Sequence, residues 1–209
     1  MSTKGFIIGS FGTVPPKGYI SVEYPEGSVC TATHTETGQV LTAPRNDGSY
    51  LFPLPAIGAW TVTSTDGTNS KSQTVNIEYV GQKINIVIIF PLILVENSIS
   101  CSASSRAADS ANATTKTVTV GTGDFTNYKT LYITVSSVYT SGNAYGGSGV
   151  KVDTAVTRGL DVGTSGTIAI DISTLVGDRT VYLYTTVWSV DGSSTVTRSI
   201  TISKAWLEA

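Results

Sequence analysis

The tightest constraint on this chain is a two-residue alternation that recurs between turn signals. In "RTVYLYTTVWSV", residues 179–190, Val181, Leu183 and Val187 fall on one side while Tyr182, Tyr184 and Trp188 fall on the other. "TIAIDI" repeats the pattern with Ile168, Ile170 and Ile172 on one face. A period of two belongs to a strand, whereas an amphipathic helix needs apolar residues at spacings of three and four. Composition agrees. Ser and Thr supply 57 of 209 residues, beside 21 Gly, 10 Tyr and a single Met. Charged residues are only 13%, against roughly 25% in ordinary globular proteins. Thr, Val, Ile and Tyr suit pleated strands, and Gly and Ser suit tight turns. The chain reads as all-β.

Turn signals every eight to twelve residues divide the first half into seven short segments: "GYISVEYPEG", "SVCTATHT", "QVLTAPRN", "GSYLFPLP", "AWTVTST", "SQTVNIEYV" and "QKINIVIIF". That number of strands in about 75 residues has the proportions of an immunoglobulin-like sandwich, expected over 17–91. Residues 1–16 form an N-terminal arm with an apolar Phe6-Ile7-Ile8, suited equally to strand addition on a partner or to a first strand of the sandwich. The run "INIVIIFPLILV", Ile84–Val95, reads as two strands broken at Pro91. Residues 96–115 carry little pattern and read as a linker or long loop with some strand pairing, anchored by Ile99. From "KTVTVGTG" onward the strands lengthen, and six or more of them over 92–209 suit a jelly-roll sandwich.

Several function classes are excluded. A net charge of −2 and a pI near 5.3 give no field that draws nucleic acid. Ile84–Val95 is too short to span a bilayer, which needs about 20 apolar residues, so no membrane span is expected. The start "MSTKGFIIGSFG" lacks the apolar stretch of a secretory signal, so export by that route is not expected. Cys30 and Cys101 fall in different halves and read as small buried apolar residues rather than a disulfide scaffold.

Reactive chemistry is equally sparse. The only histidine, His34, has no ligand-spaced neighbour and reads as a strand-surface residue. No Gly-x-Ser-x-Gly elbow occurs. Asp153, Asp161, Asp171, Asp178 and Asp191 sit near strand ends, where turn roles explain them better than a glycosidase pair. No Asp-x-Asp-x-Asp run points to calcium. No catalytic residue, metal or cofactor is expected, and the chain reads as non-enzymatic.

"DGSYLFPLPAIGAWTVTSTDG" resembles the core of carboxypeptidase regulatory-like or transthyretin-like β-sandwich domains. The matching positions are Gly48, Tyr50, Phe52, Pro55, Gly58, Trp60 and Val62. The resemblance covers residues 17 to 90. A following sandwich that reads "FTNYKTLYITV", "IAIDISTLVGDRTVYLY" and "ITISKAWLE" is similar to that of accessory structural proteins of tailed bacteriophages of Gram-positive bacteria. The matching stretches are Asp124 to Lys129 and Ala205 to Glu208. The resemblance implies two β-sandwich domains, immunoglobulin-like or transthyretin-like followed by a carbohydrate-binding-like jelly roll.

Sandwiches bind sugars with flat aromatic faces beside hydrogen-bonding side chains. The candidate glycan contacts are Tyr145, Asn143, Tyr139 and Trp188, with Tyr182, Tyr184 and Asp191 near them. Tyr139 precedes and Tyr145 lies within "SGNAYGGSG", which reads as a mobile hairpin tip carrying Tyr145. Aromatics on long strands also serve plain sheet packing, so Tyr145 is the first candidate to test. The expected function is that of a non-enzymatic virion protein on the particle surface, contributing to attachment to host-surface glycan. The alternative is a capsid decoration or head-fibre protein that stabilises the shell without a specific ligand. Expected partners are other capsid or tail proteins and further copies of the chain, through edge strands and the Ile84–Val95 run.

Overall fold

The computed structural model describes residues 15–209. The chain divides into two compact units, Met1–Phe90 and Pro91–Ala209. Each is an all-β sandwich, the class that the alternation and composition imply. The N-terminal arm expected over 1–16 falls almost wholly on residues 1–14, outside the described residues.

The first unit holds β1 (Gly18–Glu23), β2 (Val29–His34), β3 (Val40–Thr42), β4 (Ser49–Leu54), β5 (Gly58–Thr65), β6 (Ser70–Ile77) and β7 (Gln82–Val87). One sheet has the order β4-β1-β7 and the other β3-β2-β5-β6. β1 pairs antiparallel with β4 but parallel with β7. This order differs from that of an immunoglobulin constant sandwich, which keeps its first, second, fourth and fifth strands in one sheet. Pro53 is tolerated inside β4 because β4 is an edge strand and one of its flanks needs no N–H donor. The alternation predicted for "YISVEY" holds, with Ile20, Val22 and Tyr24 buried. Phe52, Trp60 and Val62 fill the same core, and Tyr50 packs against it with its ring edge-on to Phe52 at 4.8 Å.

The second unit holds β8 (Leu92–Val95), β9 (Ile99–Ser105), β10 (Thr114–Asp124), β11 (Thr130–Ser141), β12 (Ala144–Val152), β13 (Ala155–Leu160), β14 (Gly166–Asp171), β15 (Asp178–Ser189) and β16 (Val196–Glu208). The sheets run β10-β15-β12-β13 and β14-β11-β16-β8, with β9 also along β16. Taking β8 and β9 as one interrupted first strand, every connection crosses between the sheets except the β12–β13 hairpin, which gives the jelly-roll order. Leu131, Ile133, Leu183, Ile200 and Ile202 form the centre of the core between them.

The Ile84–Val95 run holds two strands broken around Pro91, as expected: β7 ends at Val87 and pairs with β1, while β8 starts at Leu92 and pairs with β16. Two other local expectations need correction. Residues 99–105 are not a loop but the full strand β9, registered with Val196–Ile202. Its buried face is built from small side chains, Cys101, Ala103 and Ser105, which carry too little hydrophobicity to announce a strand. Finally, "SGNAYGGSG" is not a hairpin tip: from Ala144 onward it belongs to β12, and Gly142 and Asn143 connect β11 to β12 across two different sheets.

Both thiols are free and fully buried, so labelling by a thiol reagent should follow the unfolding rate. Burial pushes the Cys30 thiol from 9.0 up to about 11. Its contribution to stability should therefore be intact below pH 9 and be lost as the pH rises through about 11, which a pH series of denaturant unfolding would read. Trp60→Ala should cost about 3–5 kcal/mol in the same assay, since Trp60 has no exposed surface.

Candidate functional site: the open face of one jelly-roll sheet

β15 runs through the middle of the β10-β15-β12-β13 sheet, and its alternation fixes what each face carries. Val181, Leu183, Thr185, Val187 and Ser189 point into the sandwich and are buried. Tyr182, Tyr184, Thr186 and Trp188 are half-buried on the outer face. At about 3.3 Å per residue the row from Tyr182 to Trp188 spans roughly 20 Å. β12 adds Tyr145 directly opposite Trp188, with ring centroids 5.8 Å apart and planes tilted by 32°. It also adds Lys151 opposite Tyr182, whose Nζ lies 5.0 Å above the Tyr184 ring.

The floor of this face is glycine. A Cβ on Gly149 would lie 2.1 Å from the Arg158 carbonyl oxygen and 2.9 Å from the Tyr184 ring. On Gly146, at φ +134°, it would lie 1.9 Å from the Thr186 carbonyl oxygen. β12 is thus pressed between β13 and β15 at a distance that only glycine allows. Across Gly147, Gly149 and Gly159 the Tyr184 phenol ring lies down rather than standing upright. From inside, buried Arg198 donates through Nε to Ser148 Oγ at 3.1 Å and holds the same strand.

At the Tyr182 end the face deepens into a cleft of about 440 Å³ lined by Thr117, Lys151, Asp153, Thr154 and Tyr182. Asp153, at the β12–β13 turn, is the only described non-glycine residue with positive φ, at 53°. A short side chain that bonds locally makes that conformation tolerable. Its Oδ1 accepts from the Thr180 amide at 3.0 Å, and its Oδ2 accepts from Arg179 Nη1 at 3.0 Å. The Thr180 amide first, then Arg179, hold its carboxyl below the usual carboxylate range. Asp153 is therefore a clamp between hairpin and β15, with its charge answered by Arg179.

Of the four candidate contacts, the structure brings Tyr145 and Trp188 together, keeps Asn143 next to them and puts Tyr139 on the other sheet. Tyr145 is a strand residue, 55% exposed, and not on a loop tip. Tyr139 is also exposed, but it faces out from β11 in the opposite sheet, opposite Ser199. Asn143 lies in the crossover beside Tyr145, where its carbonyl accepts from the Val190 amide at 3.0 Å. Asp191 caps a turn through the Ser193 hydroxyl and amide, which lower its pKa. Lys151 and the glycine floor escaped the sequence reading, which gave Asp153 only a turn role. Their signal was Gly147 and Gly149 two apart inside a strand, the mark of a close approach.

His34 corrects another expectation, because it is buried rather than on the surface. Its Nδ1 accepts from the Thr37 amide at 3.2 Å and its Nε2 donates to the Ile57 carbonyl at 3.0 Å, with the ring edge-on to Trp60. Asp171, like Asp191, caps a turn, and Ser173 lowers its pKa. A general acid needs the opposite displacement. Among the described residues no group of three His, Cys, Asp or Glu side chains is arranged to hold a metal ion. No helix among them is long and apolar enough to cross a membrane.

No family model matches the chain, and no curated protein matches it. Among solved structures it is similar to a candidate carbohydrate binding protein from Bacteroides uniformis, at 11% identity and a TM-score of 0.27, covering 88% of this chain and 79% of that one. It is also similar to the infectious bursal disease virus Gx strain structure, at 12% identity and a TM-score of 0.31, covering 90% of this chain and 54% of that one. The VP2 subviral particle of the same virus aligns at 8% identity and a TM-score of 0.31, over 87% of this chain and 52% of that one. The chain spans about half the length of the two viral chains. Likeness at that level bears on neither ligand nor function.

The glycine floor can be tested by two substitutions two residues apart. Gly147→Ala meets nothing nearer than 4.0 Å and should change stability by no more than about 0.5 kcal/mol. Gly149→Ala drives a Cβ into the Arg158 carbonyl and should cost more than about 2 kcal/mol in denaturant unfolding.

Proposed function

We propose that this chain is a non-enzymatic binding protein of a virion surface, and that its jelly roll holds saccharide along the outer face of β10-β15-β12-β13. The observation that carries this reading is the row Tyr182, Tyr184 and Trp188 with Tyr145 beside it, solvent-facing on a rigid sheet. Pyranose rings present apolar C–H faces, and aromatic rings fixed at strand spacing offer matching surfaces at little entropic cost. Thr115 and Thr186, hydrogen-bonded to each other at 2.9 Å on the same face, supply hydroxyls beside the rings. The placement on a phage particle, with other virion proteins and further copies of the chain as partners, rests on the resemblance of the two-sandwich arrangement to phage accessory proteins. Host-surface glycan is then the natural ligand.

Purified protein should be retained on cell walls of the host and on immobilised cell-wall polysaccharide. Trp188→Ala or Tyr184→Ala should weaken that binding about tenfold, and Tyr139→Ala, on the other sheet, should leave it unchanged. If the wild-type chain is not retained, and deleting it makes particles fragile, the decoration reading replaces this one.

A further inference from the structure

The cleft at the Tyr182 end of the aromatic row carries an electrostatic asymmetry. Two charged side chains line it, Lys151 and Asp153. Asp153 is spoken for, since both carboxylate oxygens accept hydrogen bonds and Arg179 supplies a counter-charge at 3.0 Å. Lys151 has no carboxylate within 4.0 Å among the described residues, and its ammonium is held only over the face of Tyr184. A cation–π contact positions an ammonium without neutralising it. Its three N–H donors remain free to meet an acceptor from solution. One unanswered positive charge therefore faces the cleft, in a chain whose net charge is −2. Thr117 and Thr154 add hydroxyls and Tyr182 adds a ring on the same wall.

We propose that this cleft binds an anionic substituent, a carboxylate or a phosphate borne by the saccharide, so that the platform selects acidic glycans over neutral ones. The inference rests on reading the face as a saccharide platform. Lys151 supplies the charge-assisted hydrogen bond, Tyr182 packs against the sugar that bears the anion, and the remaining aromatics hold the units that follow. Asp153 acts by position: tied to Arg179 and Thr180, it fixes the turn that forms the cleft wall without repelling the ligand.

The test compares an acidic polymer with its neutral ester and adds a phosphate polymer. Isothermal titration of the full chain with polygalacturonate and with its fully methyl-esterified form reads the carboxylate preference. Poly(glycerol phosphate) chains read the phosphate source. The wild type should bind at least one acidic polymer about tenfold more tightly than the neutral ester, the scale of one charge-assisted hydrogen bond. That gap should shrink as salt rises. Lys151→Met, which keeps the apolar stem, should abolish the gap between the acidic polymer and the ester. Equal wild-type affinity for acidic and neutral polymers, or a gap that survives in Lys151→Met, overturns the proposal and leaves the platform reading standing. Absence of binding to all three polymers together with absence of retention on host cell walls overturns both.

Discussion

The close contact of β12 with its two neighbours is the constraint on which the binding face depends. Gly146 and Gly149 let the strand approach the Thr186 and Arg158 carbonyls at distances that any side chain would forbid. Because the backbone is that near, the Tyr184 ring can lie across the sheet instead of standing on it. Lys151 then stacks over that ring, and Tyr145 meets Trp188 one strand over. A sheet with ordinary side chains at these positions would push the aromatics upright and fill the space in which a ligand could lie.

The rest of the surface manages solubility with very few charges. Cross-strand hydroxyl pairs recur on exposed faces: Thr61 with Thr74 and Thr63 with Ser72 at 2.8 Å in the first unit, and Ser100 with Thr201 and Ser104 with Thr197 at 2.8 and 2.7 Å in the second. Directly opposed residues that bond in this way add a few tenths of a kcal/mol each to the sheet. They also keep polar groups at the surface without the repulsion of like charges. This is the structural meaning of a chain in which Ser and Thr outnumber charged residues.

Large side chains made the fold legible, and small ones hid parts of it. β15 could be read outright because Val181, Leu183 and Val187 alternate with Tyr182, Tyr184 and Trp188. β9 alternates just as strictly, but its inward residues after Ile99 are Cys101, Ala103 and Ser105, whose burial follows from where β16 lies. His34 shares parity with buried Cys30 and Ala32, so its place inside was available from the period of β2. The candidate site was half legible. Trp188 and Tyr145 were both singled out, yet their pairing depends on which sheet β12 joins. A short turn such as Gly142-Asn143 reads as a hairpin whether the chain folds back or crosses over, so Tyr139 and Tyr145 looked like neighbours when they lie on opposite sheets.

The three tryptophans give one measurement that tests the binding face directly. Trp60 lies in the core of the first unit, Trp206 is stacked on Tyr132 in the β14-β11-β16-β8 sheet, and Trp188 stands in the aromatic row. Titrating labelled protein with host cell-wall polysaccharide fragments and following the indole N–H and glycine amide signals by NMR separates the three. Shifts confined to Trp188 and the amides of Gly147 and Gly149, with Trp60 and Trp206 unmoved, are the predicted result. A response centred on Trp206 or on the first unit, with Trp188 silent, would contradict it.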